Sequence, residues 1–600
     1  MANPHTARPR KFLLELIKPS HYDDDGYVIQ WWRGFLPSNS LSTLYGLALS
    51  ARQRRILGDE VEIRIDAFDE TTVLIPVRRI IRRFRRNGNR GLICFVGVQT
   101  NQFARAVDLG RRFLAQGIKV AIGGFHVSGC ISMLSEMTAE LKEAQALGIT
   151  LFAGEAEGRF DTLVRDAYAN RLQPTYNFLS DLPELDGQTL PLLPRNHVKH
   201  YFGNTGSFDA GRGCPFNCSF CTIINVQGRK SRYRTADDVE QLVRAGLAQG
   251  VNNYFISDDD FARNRNWEAI LDRIIQLRTK EGLKIHLTLQ VDAACHKIPN
   301  FVSKAARAGC RRVFIGLESI NPESLKHASK GQNRITEYRA MLQAWRKARV
   351  LTYAGYILGF PDDTPEKIER DIRIIQRELP IDLLEFFVLT PLPGSKDHQT
   401  LLLKGTPMDS DVNRYDAEHV TTAHPAMTRE QWQTTYDRAW HLYYSPEHIE
   451  TLLKRATVSG PRPARLASMI FYFYGSYSIE GVHPLQGGFL RRKVRRQRRY
   501  GMPLESPLPF YARRLREIVH TLTSGLRLRL QIERIRGRVA GDATSANYTD
   551  AALAPALADY SETLELFETS EAARQIVARA RSRVEPIHRV RADGVASTSR

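Results

Sequence analysis

The chain has 600 residues, of which 42% are hydrophobic and 25% charged, and its formal net charge is +20. This length supports several hydrophobic cores, and no stretch approaches the roughly 20 apolar residues of a membrane span. The amino terminus lacks the apolar run and the small-residue cleavage pattern of a secretory signal, so we expect a cytoplasmic, reducing location.

Residues 8–172 alternate short apolar runs with amphipathic stretches, in five βα units. The spacing predicts an α/β domain with an open parallel sheet of the flavodoxin-like or Rossmann type. Ligands of such sheets bind at the carboxyl ends of the strands, which here read VGVQT, GGFH and GEAEG. Glycines at these points permit a ligand to approach closely, although ordinary strand-to-helix turns explain them equally well.

The alternation restarts after a linker rich in Pro, Asn and Leu at residues 173–198. Residues 199–397 contain six further βα units, whose strands read GSFDAGRG, NNYFISD, KIHLTLQVD, RRVFIGLES, LTYAGYILGF and LLEFFVLTPLPG. Polar and glycine residues follow the strands, as at the face where parallel barrels carry out their chemistry. We therefore predict a partial (β/α)6 barrel.

Beyond the barrel the strand pattern fades. Residues 398–535 are expected to be mainly helical, and residues 536–600 to form a polar, partly disordered tail. The aromatic stretch MIFYFYGSY is too short to span a bilayer, so it packs on the barrel, lines a pocket or contacts a membrane surface. Two basic runs, Arg78–Arg90 and Arg491–Gly501, suit anionic partners or a solvated helical face, and we favour the second explanation.

The cysteines carry the strongest chemical signal. Cys214, Cys218 and Cys221 lie within the stretch GRGCPFNCSFCTI, directly after the first predicted barrel strand. Thiolates are the usual ligands of iron–sulfur clusters, and three of them leave one iron of a cubane open to a small molecule. A zinc site is disfavoured because it usually pairs two short Cys/His spacings. The other four cysteines are scattered on apolar segments and are expected to be small buried residues.

The motif CPFNCSFC resembles the signature of the radical S-adenosylmethionine (SAM) superfamily, including the aromatic residue before its last cysteine. The resemblance implies a 4Fe–4S cluster on the three cysteines, whose open iron binds SAM. An electron from the reduced cluster then cleaves the sulfonium to give a 5′-deoxyadenosyl radical. A flavodoxin or ferredoxin is the expected electron donor.

The same resemblance places SAM-binding residues at the ends of successive strands. The implied set is Phe220, Asp258, Asp259, Gln290, Glu318, Ser319, Ile357 and Gly359, with Asp260 and Asp292 nearby. In the family the fifth strand borders the adenine and reads G-x-I-x-G-x-x-E, which here has Asp362 in place of Glu. No catalytic residue beyond the cluster ligands is predicted.

The first domain resembles the cobalamin (B12)-binding domain that precedes the barrel in one branch of this superfamily. The resemblance implies cobalamin contacts at Gly97, Gln99, Gly123, Gly124, His126, Gly154 and Glu155. The motif D-x-H-x-x-G, which supplies a histidine to cobalt, is missing, and His21 stands in the wrong order for it. We expect cobalamin to bind without that ligand and His126 not to coordinate cobalt.

The sequence thus predicts a radical SAM enzyme that abstracts hydrogen from an unactivated carbon, as a cobalamin-dependent methyltransferase or in an oxidative rearrangement. One alternative is a cobalamin-free radical SAM oxidoreductase with a degenerate first domain. Another is a non-catalytic basic adaptor that binds RNA or a membrane. Methylthiotransferase activity is disfavoured because a second set of three cysteines is missing. The expected partner is a small-molecule substrate, and the aromatic stretch leaves a hydrophobic or lipid-like one open. No nucleic acid is expected, and peripheral membrane contact stays open.

Overall fold

The computed structural model of the chain describes residues 10–596, with side chains as far as residue 583. Residues 8 and 9 of the first predicted domain and residues 597–600 of the predicted tail lie outside the described residues. The strands are β1 (Arg10–Lys18), β2 (Gln30–Gly34), β3 (Val61–Asp69), β4 (Gly91–Phe95), β5 (Val120–Gly123), β6 (Thr150–Ala153), β7 (Thr175–Asn177), β8 (Thr205–Phe208), β9 (Gly211–Arg212), β10 (Arg232–Tyr233), β11 (Asn253–Ile256), β12 (His286–Val291), β13 (Cys310–Glu318), β14 (Leu351–Leu358), β15 (Leu383–Val388) and β16 (Gly488–Arg492).

The helices are α1 (Asn39–Gln53), α2 (Val77–Arg86), α3 (Thr100–Leu114), α4 (Phe125–Met133), α5 (Ala139–Ala146), α6 (Phe160–Tyr168), α7 (Arg195–Val198), α8 (Ile223–Val226), α9 (Ala236–Ala248), α10 (Trp267–Thr279), α11 (Phe301–Arg307), α12 (Pro322–His327), α13 (Tyr338–Lys347), α14 (Pro365–Glu378), α15 (Lys396–Leu403), α16 (Arg429–Tyr443), α17 (Pro446–Val458), α18 (Pro463–Glu480), α19 (Pro507–Gly541) and α20 (Glu571–Ala596). None of the helices in the described part of the chain is long and apolar enough to cross a bilayer.

The first domain is an open, fully parallel sheet with the order β3-β1-β4-β5-β6-β7. The predicted sheet is confirmed, with a sixth strand, β7, contributed by the segment predicted as linker. Helices α1 and α6 pack on one face, and α2, α3 and α5 pack on the other. The chain leaves β1 for one edge of the sheet and then returns to its other side at β4. This reversal opens a crevice at the carboxyl ends of β1 and β4, as in flavodoxin-like sheets.

The second sheet contains β8, β11, β12, β13, β14 and β15 in chain order, all parallel. Helices between successive strands cover its outer face, and the apolar side chains of both layers form the largest core of the molecule. The predicted partial barrel is therefore confirmed. Its carboxyl edge and that of the first sheet face a common crevice lined by residues of both.

The helical carboxyl-terminal region packs on the barrel. The aromatic stretch lies in α18, where Leu466, Ile470 and Phe473 are buried against the barrel core. Neighbouring Tyr472 and Tyr474 are half-buried against the same core, so the stretch packs on the protein and leaves no apolar face for a membrane.

The expected disorder of the tail does not hold for residues 542–583. Leu566 and Phe567 are buried in the barrel core, and Arg339 of α13 donates hydrogen bonds to the carbonyls of Ala551 (2.8 Å) and Ala554 (2.6 Å). The apolar residues of this segment stand singly among polar ones, so they fill gaps on an existing surface without producing a periodic pattern.

An antiparallel ladder pairs β2, near the start of the chain, with β16, in the carboxyl-terminal region. The basic run Arg491–Gly501, which begins at the end of β16, is largely paired: Arg491 binds Asp23 at 2.7 Å, and Arg499 binds Asp411 at 2.5 and 2.7 Å. These ion pairs give the second basic run a structural role.

Candidate active site

The three motif cysteines lie on a loop at the carboxyl face of the barrel. The loop is held by backbone hydrogen bonds from Cys214 to the Gly228 carbonyl (3.3 Å) and from Ser219 to the Ala328 carbonyl (2.9 Å). All three thiols are free and half-buried, whereas the other four cysteines are buried, as expected. The loop therefore presents three potential thiolate ligands at the face where barrel chemistry occurs.

Among the described residues, one set of three metal-ligating side chains brings its ligand atoms within 4.8 Å of one another, and it contains Cys130 but no motif cysteine. Burial raises the pKa of Cys214 and Cys221 to about 12, and a bound metal would reverse this by deprotonating the thiols.

Two acids that follow β11 accept hydrogen bonds from the backbone that leads into the cysteine loop. The Asp258 carboxylate accepts hydrogen bonds from the amides of Ala210 (2.7 Å) and Gly211 (2.8 Å) and from Asn264 (2.8 Å). Its oxygens are thereby committed, which corrects its predicted contact with SAM. Asp259 accepts a hydrogen bond from the Gly213 amide at 3.2 Å and is only half-buried. Burial raises the pKa of both acids to about 7.

Asp260, which also follows β11, and Asp292, which follows β12, are hydrogen-bonded as well. Arg263 forms a two-pronged ion pair with Asp292 at 2.6 and 2.9 Å, and Asp260 accepts the Asp292 amide at 3.3 Å. The Gln290 amide nitrogen donates to the Asp258 carbonyl at 3.2 Å, and its side chain is half-buried. Gln290 and Asp259 thus remain as polar groups with exposed surface beside the cysteine loop.

A lysine that the sequence analysis missed stands between the predicted ribose site and the cluster site. Lys330 forms a buried ion pair with Glu318, and its ammonium lies 5.8 Å from the centre of the Phe220 ring. Burial lowers the pKa of Lys330, but Glu318 and then Cys218 outweigh it and raise the pKa above its ordinary value. Gln332 donates to the Cys218 sulfur at 3.5 Å. In the sequence, Lys330 and Gln332 stand in the polar run KGQN, which could have pointed to them but belongs to none of the motifs described above.

Ser319 has a different role from the one expected. Its hydroxyl accepts the Asn321 amide at 3.0 Å, in the turn before α12. It is 2% exposed, and Tyr338 donates to its carbonyl at 3.1 Å. We therefore assign Ser319 to the turn and leave Glu318 as the candidate for the ribose.

The fifth barrel strand ends beside the cysteine loop. Ile357 lies in an apolar cluster against which Phe220 and Phe387 pack, so two predicted SAM residues meet there. Gly359 has a φ of +107°, and a Cβ at this position would overlap the Trp432 ring, which explains the glycine.

The acid after this strand is shifted by one position from the expected one. Asp363 is buried and accepts the amides of Gly359 (2.8 Å) and Phe360 (2.9 Å). Asp362 is exposed and binds His327 at 3.0 Å. The acid that holds the turn after the fifth strand is therefore Asp363 and not the motif residue Asp362.

Glycines of three neighbouring strands line a narrow apolar crevice in the first domain. Gly97, Gly123, Gly124 and Gly154 all contribute to it, as the strand-end turns suggested. Gly124 has a φ of +146°, and a Cβ there would overlap the backbone of Val98, so this glycine is needed for packing between two turns.

The crevice is continuous with the larger one between the two sheets. Residues Asn39, Ser40, Gly97 and Phe125 line both crevices. The larger crevice also contains Gln99 and reaches Thr222 and Ile223, directly after the last motif cysteine.

His126 does not line either crevice. It is fully buried, its ring centre lies 4.5 Å from that of Phe103, and its Nε2 lies 3.4 Å from a Glu140 carboxylate oxygen. It forms with Cys130 and Glu140 the compact set of possible ligands mentioned above. The predicted contact of His126 with cobalamin is therefore wrong, because the start of α4 turns its side chain into the domain.

Glu155 lines the narrow crevice of the first domain, together with Glu157 and Arg212, and it also has a role that the sequence did not predict. It binds Arg212 at 2.6 Å and Arg232 at 2.5 Å, and both arginines belong to the barrel domain. Arg212 additionally binds Glu157 (2.7 Å) and Asp209 (2.9 Å), and all of these side chains are at most 9% exposed. The turn GEAEG and these arginines thus form an interdomain latch, in which Arg212 stands two residues before Cys214.

The comparisons with known proteins agree with this geometry. Residues 210–375 match the family model of the radical SAM superfamily. This part of the chain is thus a radical SAM domain. It is 29% identical over 322 residues to the bacteriochlorophyllide d C-12(1)-methyltransferase of Chlorobaculum tepidum, a match covering 52% of this chain and 66% of that protein. It is 26% identical over 469 residues to an uncharacterized methyltransferase of Pyrococcus horikoshii, covering 75% and 92%.

A solved structure shows the same arrangement of domains. The radical SAM methyltransferase TsrM from Kitasatospora setae, with cobalamin and a 4Fe–4S cluster bound, matches with a TM-score of 0.53. The sequence identity is 15%, and the match covers 74% of this chain and 90% of that one. At this identity the likeness concerns the fold. The radical SAM domain makes this chain an enzyme, and it implies a 4Fe–4S cluster and SAM as cofactors.

Proposed function

We propose that the chain is a cobalamin-dependent radical SAM methyltransferase, with Cys214, Cys218 and Cys221 as the cluster ligands. The observation that carries the proposal is the continuous crevice from the glycine-lined switch point of the first sheet to the end of the cysteine loop. It brings a site for a large flat cofactor next to the radical SAM face. The named methyltransferases among the relatives support the same reaction class.

We propose that the residues around the cysteine loop hold SAM. Phe220 and Ile357 offer an apolar wall for the adenine, and Glu318, held by Lys330, offers a carboxylate to the ribose. Gln290 and Asp259 offer polar groups to the methionyl end. The cluster would supply the electron that cleaves SAM, and the surrounding protein would orient SAM and exclude water.

Cobalamin would be held by backbone and small side chains. Gly97, Gly123 and Gly154 leave room at three strand ends, and we call this glycine-lined crevice the cradle. Ser128 stabilises the cradle, because its hydroxyl accepts a hydrogen bond from the Gly154 amide at 3.1 Å. When bound, the cofactor would supply the methyl group. His21 and His483 line the crevice, whereas His126 does not, so we expect no cobalt ligand from His126.

The substrate is proposed to be a small hydrophobic molecule. The interdomain crevice is lined by the aromatic side chains Phe35 and Phe387 together with polar side chains such as Asp416 and Gln486. Aromatic walls with polar groups between them suit a ligand that combines an apolar body with polar substituents. A flavodoxin or ferredoxin in a reducing cytoplasm is the proposed source of electrons.

The experiment is anaerobic reconstitution followed by titration with hydroxocobalamin, gel filtration and absorbance. Wild type should retain one cluster and one cobalamin per chain. Gly123→Leu should retain the cluster and lose cobalamin, because Gly123 lines the crevice and has an ordinary φ. Gly537→Leu, on an exposed helical surface with open space around it, is the matched control and should retain both.

The alternatives predict different results. A chain with a cluster and SAM cleavage that never retains cobalamin would favour the cobalamin-free oxidoreductase. A chain that takes up neither iron nor sulfide would favour the basic adaptor.

A further inference from the structure

Helix α19 has two different halves. In its second half, Leu528, Ile532 and Ile535 are buried against the helices that cover the barrel. In its first half, Phe510 alone is fully buried, with its ring 5.4 Å from that of Tyr27. The remaining apolar side chains of the first half point away from the protein.

These exposed side chains form one continuous stripe. We define the exposed stripe as Leu508, Tyr511, Leu515, Val519, Leu522 and Leu526, which are 85%, 62%, 64%, 51%, 54% and 61% exposed. At 3.6 residues per turn they fall within about 80° of the helix circumference and extend for about 27 Å. A soluble surface rarely leaves so many large apolar side chains together, and such patches mark interaction sites.

Positive charge lies beside the stripe. Arg516 and Arg527 are exposed, lie about 60° and 80° beyond one edge of the stripe on the helical wheel, and form no ion pair within the described part of the chain. Glu517, the nearest acid, is on another side of the helix and binds Arg514 at 2.9 Å and Lys493 at 3.4 Å. One side of the stripe thus carries two cations whose charge is not neutralised by the protein.

We propose that the exposed stripe of α19 docks on the surface of an anionic lipid bilayer. An apolar face bordered by arginines is the pattern of helices that lie in the membrane interface, with the long cationic side chains reaching the headgroups. An antiparallel two-fold pair of α19 helices would place the arginines of both copies on the same side of the contact, where they repel. A nucleic-acid surface would present the arginines, with the leucines covered. The chemistry therefore favours a lipid surface over either alternative.

This docking site is independent of the proposed methyltransferase function. It involves no residue of the cysteine loop, of the two crevices or of the interdomain latch. It also differs from the membrane contact that the sequence suggested for the aromatic stretch of α18, which is packed on the barrel. Failure of one proposal leaves the other unaffected.

The experiment is co-sedimentation of the full chain with lipid vesicles. Wild type should bind vesicles of phosphatidylcholine mixed with phosphatidylglycerol, and should bind pure phosphatidylcholine much more weakly. Leu515→Glu combined with Leu522→Glu should abolish binding. Leu403→Glu, a change at a 78% exposed leucine outside the stripe, is the matched control and should bind like wild type. Circular dichroism should be unchanged in every variant, because all the altered side chains are exposed.

The charge contribution is tested separately with Arg516→Gln combined with Arg527→Gln. Each basic side chain near an anionic surface strengthens binding about fivefold, so the double variant should bind mixed vesicles about thirtyfold more weakly. Its weak binding to neutral vesicles should be unchanged.

Two results would overturn the proposal. The first is vesicle binding that survives the double glutamate change or is equal on neutral and anionic lipid. The second is a wild-type chain that does not bind vesicles but is a dimer by light scattering and becomes monomeric in Leu515→Glu with Leu522→Glu. That outcome would assign the stripe to contact between two copies.

Discussion

The two parallel sheets of this chain have the same number of strands and use their carboxyl ends in opposite ways. The first sheet ends in Gly97, Gly123 and Gly154, which form a cradle of backbone with little charge. The barrel ends in acids such as Asp259 and Glu318, each held by a backbone amide or a cation. A backbone cradle suits a large flat cofactor, whereas fixed charges suit a small ionic one.

The difference is greatest where the two sheets meet. The acids of the turn GEAEG line the cradle, and they bind arginines of the barrel. Arginine and carboxylate neutralise each other in this latch, so the charges at the edge of the cradle are balanced within the protein. Four changes break or sharpen this contrast.

The largest expected effect is on the barrel face alone. Cys214→Ser, Cys218→Ser and Cys221→Ser should each abolish the 4Fe–4S cluster and SAM cleavage, because no other described cysteine lies on that loop. Iron and sulfide analysis measures this directly. Cys130→Ser, in the first domain, should keep a full cluster; loss of the cluster in this variant would contradict the assignment.

The next effect is on the latch. Arg212→Ala leaves Glu155, Glu157 and Asp209 buried without their shared partner, which should cost about 3–5 kcal/mol in the free energy of unfolding. Arg54→Ala, which breaks an ion pair with a 52% exposed arginine, is the control and should cost at most about 1 kcal/mol. Denaturant titration compares the two. Equal, small costs would show that the latch does not hold the domains together.

A buried acid inside the barrel makes stability depend on pH. Glu385 is fully buried on β15 with no hydrogen-bond partner for its carboxyl among the described residues, and burial raises its pKa to about 8. The unfolded chain loses this proton near pH 4.5 and the folded chain retains it, so the unfolded state is favoured as pH rises. Between about pH 5 and 8 the group should lower stability by about 1.4 kcal/mol per pH unit.

Glu385→Gln removes this titration. The unfolding free energy of the variant, relative to wild type, should therefore rise steadily from pH 5 to pH 8, in melts followed by circular dichroism. A constant difference across that range would mean that Glu385 is ionised in the folded protein.

The smallest effect concerns the ribose. Glu318→Gln should weaken SAM binding by about 1–3 kcal/mol, because a hydrogen bond to a charged group is replaced by a neutral one. Isothermal titration of the reconstituted protein measures it. Glu323→Gln, at a half-buried acid of the neighbouring α12 that accepts a hydrogen bond from Ser570, should bind SAM like wild type. Unchanged affinity in Glu318→Gln itself would remove Glu318 from the site.

The sequence was sufficient for the two sheets and for the loop that carries the three motif cysteines. Strand spacing and the CPFNCSFC motif are local patterns, and local patterns survive in a single sequence. The hydrogen bonds of Asp258 and Ser319 and the ion pairs of Glu155 were not predicted, because the type of a residue after a strand does not reveal its partner. Each of these side chains is committed to backbone or to an ion pair that only the folded chain brings together.

The remaining errors have a common physical origin. β7 is only three residues long, and residues 542–583 bury single apolar side chains without periodicity, so neither produces a readable pattern. Lys330 forms an ion pair with Glu318, and Asp363 accepts the backbone amide of Gly359. Neither residue belongs to a motif described above. The exposed stripe of α19, by contrast, has a clear helical period, but the sequence alone cannot say which apolar face of a helix is left uncovered.

The ladder between β2 and β16 also affects how the chain is made. Gln30 pairs with Arg492, about 460 positions later, and the ring of Trp31 packs closely against Gly488. At about 5–20 residues per second, a ribosome needs about 20–90 s to reach the second strand after the first. During that time β2 has an unpaired edge and a large uncovered indole, which nascent-chain chaperones would be expected to bind. A truncated chain that ends before residue 488 would retain this exposed edge permanently.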